Sequence, residues 1–168
     1  MIIETKRLII RPVELTDAQD LYEYCKDPEN TYHLDMEPHE NIERTIDGIK
    51  NYFQASPEER FGIVLKEENK MIGTIDCRGF TESRELGYAL NKKYWNKGIM
   101  SEAVIGVMEH FKNSFDVKEF IIVHDVLNPQ SERIADKCGF KKDEKYHNEF
   151  VKGRNKKMCR HTYLVEEK

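Results

Sequence analysis

The apolar residues of this chain change their period several times along its length, and that alternation is what most limits the folds open to it. Leu8, Ile9 and Ile10 with Val13 form a short apolar run interrupted by Pro12, as an opening strand beside a turn would. Leu15, Ala18, Leu21, Tyr22 and Cys25 then recur on one helical stripe, and Thr16 and Gln19 have the spacing of a capping box. Ile42, Ile46, Ile49 and Phe53 step by four, three and four, which predicts a second amphipathic helix. The stretch between the two helices, around Asp27, Pro28, Glu29 and Asn30, reads as irregular.

After residue 60 the period shortens. Residues 61–65 and 71–77 read as two strands joined by the polar turn Glu68-Asn69-Lys70, and residues 85–90 as a third. A loop over 91–97 leads into a helix opened by Gly98, with Val104, Val107, Met108, Phe111 and Phe115 as its apolar face. Phe120-Ile121-Ile122-Val123 is a continuous apolar run, as a buried strand would be. Asn128 and Pro129 start another helix and Gly139 ends it. Two last strands, near 141–148 and 159–165, flank a basic turn at 152–157 that reads as a solubilising hairpin. This order is a mixed α/β layer pattern. No linker, repeat or low-complexity tract divides it, so one domain over residues 1–168 is expected.

Composition narrows the function classes. The 168 residues are 39% hydrophobic, and a chain of this size buries roughly 70% of its unfolded surface, so its core needs no staple. A formal charge of −4 argues against non-specific nucleic-acid binding, which leans on a basic surface. The longest apolar run, 103–108, is far short of the roughly 20 residues that span a bilayer. The amino-terminal residues show no long apolar region before a small-residue cleavage site, so no signal peptide is expected. Cys25, Cys77, Cys138 and Cys159 are scattered without a Cys-x-x-Cys pair, which argues for free thiols in a reducing cytoplasm. His33 and His39 lack the spacing of a metal site and read as surface residues. No metal, nucleic acid or membrane is expected, and a homodimer stays open.

Two segments carry candidate chemistry. Trp95-Asn96-Lys97-Gly98-Ile99-Met100-Ser101 joins a strand to an amphipathic helix, whose first free N–H groups and macrodipole make a ready anion site. Gly98 lets a phosphate approach the backbone and Lys97 adds a positive charge; the spacing is that of neither a dinucleotide fingerprint nor a Walker loop. In the second segment Asn128 stands where an N-cap is needed, with Ser131 three residues on and Lys137, Gly139 and Phe140 at the far end.

Together these segments resemble the GCN5-related N-acetyltransferases, in particular the branch of ribosomal-protein-alanine N-acetyltransferases. Trp95, Gly98 and Met100 align with that family's acyl-CoA loop, Met100 standing where a small residue is usual. Asn128, Ser131, Lys137, Gly139 and Phe140 match its second signature, and Glu85-Leu86-Gly87-Tyr88 a third. Thr5, Arg7, Leu8 and Arg11 are similar to the branch's first strand. The resemblance implies a central mixed, mostly antiparallel sheet of about six to seven strands flanked by about four helices. It also implies acetyl-CoA as co-substrate, held by residues 95–101 with Asn128 and Ser131.

The implied reaction is acetyl transfer to a primary amine by direct attack in a ternary complex. The implied oxyanion donor is a backbone N–H at Ala89 or Leu90, on a strand splayed by a bulge. Glu85 is the implied base, Tyr88 lines the acceptor site or donates a proton, and Ser131 relays one to the leaving thiolate. Ala135 stands where many relatives place a tyrosine. Cys77 and Cys138 have no activating neighbour in sequence, so no covalent nucleophile is assigned. Residues 26–47 hold seven acids against Lys26 and Arg44, a wall that would steer a cationic acceptor or simply a solvated run. A protein amino terminus and a small-molecule amine both remain open as acceptors. A non-catalytic acyl-CoA-binding module is the rival from another class.

Overall fold

The computed structural model describes residues 1–79 and 82–166. Its strands are β1 (Ile3–Glu4), β2 (Leu8–Pro12), β3 (Arg60–Leu65), β4 (Lys70–Arg78), β5 (Ser83–Leu90), β6 (Glu119–Asp125), β7 (Lys141–Val151) and β8 (Arg154–Leu164). The helices are α1 (Ala18–Cys25), α2 (Pro28–Thr31), α3 (Ile42–Gly48), α4 (Ile99–Ser114) and α5 (Pro129–Lys137). The strands form one sheet in the order β1-β2-β3-β4-β5-β6-β8-β7. Neighbours pair antiparallel except β5 with β6, which run parallel because α4 crosses over between them.

Alternation along the strands covers both sheet faces. Phe61, Ile63, Ile75, Leu86 and Ile122 join Val104, Val107 and Phe111 of α4 in the larger core, while Val64 and Met71 turn the other way onto Leu21, Tyr24 and Ile49.

The sheet has eight strands rather than six or seven, and five α-helices rather than four. The extra strand, β1, is two residues long, too short to show a period, and exists because Ile3 and Glu4 pair with Ile10 and Ile9. The extra helix, α2, occupies the stretch that reads as irregular; the Asp27 carboxylate caps it by accepting from the Glu29 N–H at 2.9 Å. The first capping bond also sits two residues earlier than its spacing suggests, with Asp17 accepting from the Glu14 N–H at 2.8 Å. Leu15 is 46% exposed and Tyr24 takes a buried place on that stripe. Phe115 ends α4 exposed, although its ring stacks on Phe111.

One break in the sheet positions the site. β5 pairs with β6 only through Ser83, Arg84 and Glu85, opposite Glu119, Phe120 and Ile121; beyond Glu85 the two strands part. No bulge in β5 causes this, because its register with β4 runs unbroken from Arg78↔Glu85 to Gly73↔Leu90. The described register shifts lie elsewhere, at Ile63/Val64 and in the β7–β8 hairpin. The gap is made by β6 diverging.

Candidate active site

A cleft of about 520 Å³ opens at this gap, between the second half of β5, the start of α4, α5 and the α2 segment. Its size suits a small organic ligand. Gly98 is the N-cap of α4 and has φ +70°, a left-handed conformation that glycine adopts without strain; Asn96 is also left-handed at φ +60°. The 16-residue helix that follows directs its free N–H groups back toward this loop.

The loop is braced from a distance. Glu102, in the first turn of α4, accepts from the Thr5 hydroxyl at 2.6 Å, the Arg7 N–H at 2.8 Å and the Arg7 Nε at 2.6 Å. Glu102 is partly desolvated there, but these donors outweigh the burial and hold its carboxyl below the usual carboxylate range. Arg7 also donates to the Lys97 carbonyl at 2.9 Å. A β-carbon at Gly98 would stand 3.2 Å from Lys137 Nζ, so Lys137 and Arg7 supply positive charge beside the loop. The Lys97 ammonium itself lies over the Tyr94 ring. Trp95 donates from Nε1 to the Leu90 carbonyl at 2.7 Å, tying the loop to the end of β5. Met100, in the small-residue slot, is 3% exposed and belongs to the core cluster.

On the strand side, alternation separates Ala89 from Leu90. The Glu82 carbonyl accepts bonds from the start of β6 and the Asn91 N–H bonds to Ile72 on β4. Even-numbered backbone groups of β5 therefore face the gap and odd-numbered ones face β4. The N–H free to point into the cleft is that of Leu90, while that of Ala89 is turned to the β4 ladder.

Tyr88, on the core-facing side of β5, places its hydroxyl 2.7 Å from the Ser131 hydroxyl in the first turn of α5. The Asn128 carboxamide caps that turn by accepting from the Ser131 N–H at 3.1 Å. Burial pushes the Tyr88 phenol well above its ordinary range, with the bond to Ser131 opposing it, so the group is a neutral O–H donor at neutral pH.

The structure brings together Tyr88, Ala89, Leu90, Trp95, Asn96, Gly98, Ile99, Met100, Ser101, Asn128 and Ser131 around the cleft, and leaves Glu85 and Lys97 out of its lining. Glu85 sits at the vertex where β5 and β6 part, on the opposite face of β5 from Tyr88. Its carboxylate accepts from Arg78 Nη2 at 2.9 Å and is half exposed.

His33 does line the cleft, contrary to a surface reading. Its Nδ1 is buried without a hydrogen-bond partner, 3.9 Å from Asp125 Oδ2, and burial lowers the ring's pKa against the pull of Asp125. His39 is also drawn inward, with Nδ1 2.8 Å from the Thr45 hydroxyl.

Asn30 fixes this wall to β5: its amide donates to the Leu90 carbonyl at 2.9 Å and its oxygen accepts from the Lys92 N–H at 2.8 Å. Lys92 pairs with both Asp27 and Glu29, which neutralises part of the acidic segment. The basic hairpin turn is a contact as well as a solubilising tip. Lys152 donates to the Thr31 carbonyl at 2.9 Å and Arg154 lies over the Tyr32 ring. Spacing gave no sign of His33 or Asn30, since Asn30 meets Leu90 and His33 meets Asp125 only through the fold, far apart along the chain.

A family model for the acetyltransferase (GNAT) domain matches residues 7–141. The sequence is 30% identical over 145 residues to an uncharacterised N-acetyltransferase, p20, of Bacillus licheniformis, covering 83% of this chain and 82% of that protein. It is 28% identical over 108 residues to the ribosomal-protein-serine acetyltransferase of Escherichia coli (strain K12), covering 62% and 59%. The fold matches a solved GNAT-family acetyltransferase from Bacillus anthracis at a TM-score of 0.88 and 24% identity, over 98% of both chains. It also matches RimL, a ribosomal L7/L12 α-N-protein acetyltransferase in complex with coenzyme A, at a TM-score of 0.85 and 18% identity over 98% of each. With the family model spanning most of the sequence, this chain belongs to the GNAT acetyltransferase family.

Proposed function

We propose that the chain transfers an acetyl group from acetyl-CoA to a primary amine, a protein amino terminus being the favoured acceptor, by direct attack in a ternary complex. The observation that carries this reading is the Tyr88–Ser131 hydroxyl pair facing a braced, left-handed loop across one cleft. The loop fits the pyrophosphate of coenzyme A. A side chain at Gly98 would crowd the Lys137 ammonium, and Met100 is folded into the core rather than toward the loop backbone. Residues 95–101 with Lys137 would hold the nucleotide end.

Acetyl-CoA supplies an activated thioester carbonyl when bound. The Leu90 N–H donates to the carbonyl oxygen as the amine nitrogen attacks the carbon. As the carbon–sulfur bond breaks, Tyr88 would give its proton to the leaving sulfur, while Ser131 would pass its own proton to Tyr88 and regain one from solvent in the cleft. Tyr88 thus supplies from the strand the hydroxyl that Ala135 cannot supply from the helix. No acyl-enzyme is assigned: burial pushes the Cys77 thiol up to about 12 and the Cys138 thiol up to about 11, so neither is a thiolate at neutral pH. Glu85 receives the amine proton through water at the vertex of the gap. A second reading gives that role to His33, favoured by a ring that lines the cleft while its buried Nδ1 is turned to Asp125.

The acceptor reading rests on relatives whose names include ribosomal-protein acetyltransferases. The test is calorimetric titration with acetyl-CoA, followed by thiol release over a panel of amino-terminal peptides and small amines. Release with peptides supports the reading, and release with small amines alone moves the acceptor to that class. Binding without release on any amine leaves a non-catalytic module, and absence of binding overturns the proposal.

A further inference from the structure

Outside the cleft, two histidines and a cysteine converge in the interior on β6, which leads into α5, and on its neighbour β8. Cys159 of β8 is the cross-strand partner of His124 on β6, and His161, two residues on, shares the face of Cys159. His124 Nε2 and His161 Nε2 stand 3.1 Å apart, with Cys159 Sγ 3.4 Å and 3.3 Å from them. The three residues are buried, at 5%, 0% and 0% exposure. Among the described residues they are the one group of three or more His, Cys, Asp or Glu side chains with ligand atoms gathered this closely. We propose that His124, Cys159 and His161 form a zinc site, with the fourth position left to a water.

The distances favour a shared ion. Tetrahedral zinc with nitrogen at about 2.0–2.1 Å and sulfur at about 2.3 Å separates its ligand atoms by roughly 3.3–3.6 Å. The present edges are within a few tenths of that, so small side-chain shifts would seat the metal. Polar accounting agrees. His124 Nδ1 lies 2.8 Å from the Asp125 carbonyl, so its proton belongs there and Nε2 presents a lone pair to the cluster. A ring nitrogen donating to a backbone carbonyl is how zinc-ligating histidines are commonly oriented.

His161 Nδ1 is buried without a partner, so one ring nitrogen of this residue goes unsatisfied or the lone pairs clash. With the His161 proton on Nδ1, two imidazole lone pairs and the sulfur share only the single hydrogen of the Cys159 thiol, and a cation in its place would serve all three. On binding, the Cys159 thiol proton leaves to the buffer and no oxidation state changes. Two imidazoles and a thiolate are a borderline-soft set, suited to zinc rather than magnesium or calcium. The bound ion would clamp β6 to β8 just before Asn128, and so steady the strand end that presents α5 to the cleft.

The test strips metals from the purified full chain with a chelator and titrates it with Zn(II), and separately with Co(II) as a spectroscopic substitute. One metal per chain, a rise in Tm with zinc, and a cobalt spectrum with tetrahedral d–d bands and a thiolate-to-cobalt band support the site. Cys159→Ser should abolish the thiolate band and His161→Gln should weaken zinc at least tenfold, while Cys25→Ser leaves both unchanged. Acetyl-CoA binding serves as the check that each variant is folded. If the Cys159 variant does not fold, the cobalt spectrum of the unsubstituted chain decides. Absence of stoichiometric uptake by the folded apo chain, a cobalt spectrum without a thiolate band, or a thiolate band that survives Cys159→Ser overturns the proposal.

Discussion

The hydroxyls of Tyr88 and Ser131, 43 residues apart in sequence, lie 2.7 Å from one another where β5 faces the first turn of α5. The pair links the strand carrying the Leu90 N–H to the helix capped by Asn128. If Tyr88 protonates the leaving sulfur, Tyr88→Phe lowers kcat by about 10²-fold, in the range of general acid catalysis, with little change in acetyl-CoA affinity. Ser131→Ala should cost less alone and add little to the Tyr88 variant, since both act on one proton path. Steady-state kinetics on the two single variants and the double variant check this; full additivity would separate their roles.

Glu85 and His33 make opposite predictions. With Glu85 as the proton acceptor, Glu85→Gln lowers kcat by about 10²–10³-fold while His33→Gln stays within a few-fold of the unsubstituted enzyme. The reverse ranking assigns the base to His33. Because burial lowers the His33 pKa below its usual 6.5, that outcome also predicts activity that is full at neutral pH and falls only as the pH drops below this value. A pH profile of kcat/KM on both variants distinguishes the two.

Gly98 holds φ +70° next to Lys137 Nζ. Gly98→Ala places a β-carbon in a left-handed conformation at a cost of about 1–2 kcal/mol and pushes on the ammonium. Calorimetry should show weaker acetyl-CoA binding, and thermal melts a lower Tm. A variant that binds as tightly as the unsubstituted chain would remove the loop from the anchor.

Glu23 ties α1 to β4 and to the turn after β5, accepting from Lys70 and Lys93 at 2.5 Å each. Lys70 foremost, then Lys93, draw its pKa from an ordinary 4.5 down to about 2. A carboxyl depressed in the folded state stabilises fully above its unfolded pKa and loses that contribution as the pH falls through the folded value. The loss therefore runs from about pH 4.5 to about pH 2. Glu23→Gln should lower Tm at neutral pH and flatten the acid limb over that window, as followed by melts from neutral pH down to pH 2.

Much of the frame was readable in one dimension because it rests on local chemistry. The β3–β4 hairpin follows from two apolar runs about the Glu68-Asn69-Lys70 turn, where Asn69 adopts φ +48°. α4 and α5 follow from helical spacing and from Gly98, Asn128 and Pro129 at their starts. The edges were harder to read. β7 is exposed along nearly all its length, so no burial alternation marks where it ends. β1 and α2 are too short to show a period.

By itself, the sequence determined the order of the longer elements, the Gly98 start of α4 and the Asn128 cap, because backbone conformation, capping and periodicity act over a few residues. Tertiary structure alone decided which side chains meet. It set Glu85 at the vertex of the β5–β6 gap and outside the cleft lining, drew His33 into the cleft, and turned the Leu90 N–H rather than that of Ala89 toward the gap. It also placed Cys159 opposite His124 across 35 residues. Those meetings depend on strand register and on where β6 leaves β5, and register is set by packing of the whole sheet rather than by spacing along the chain.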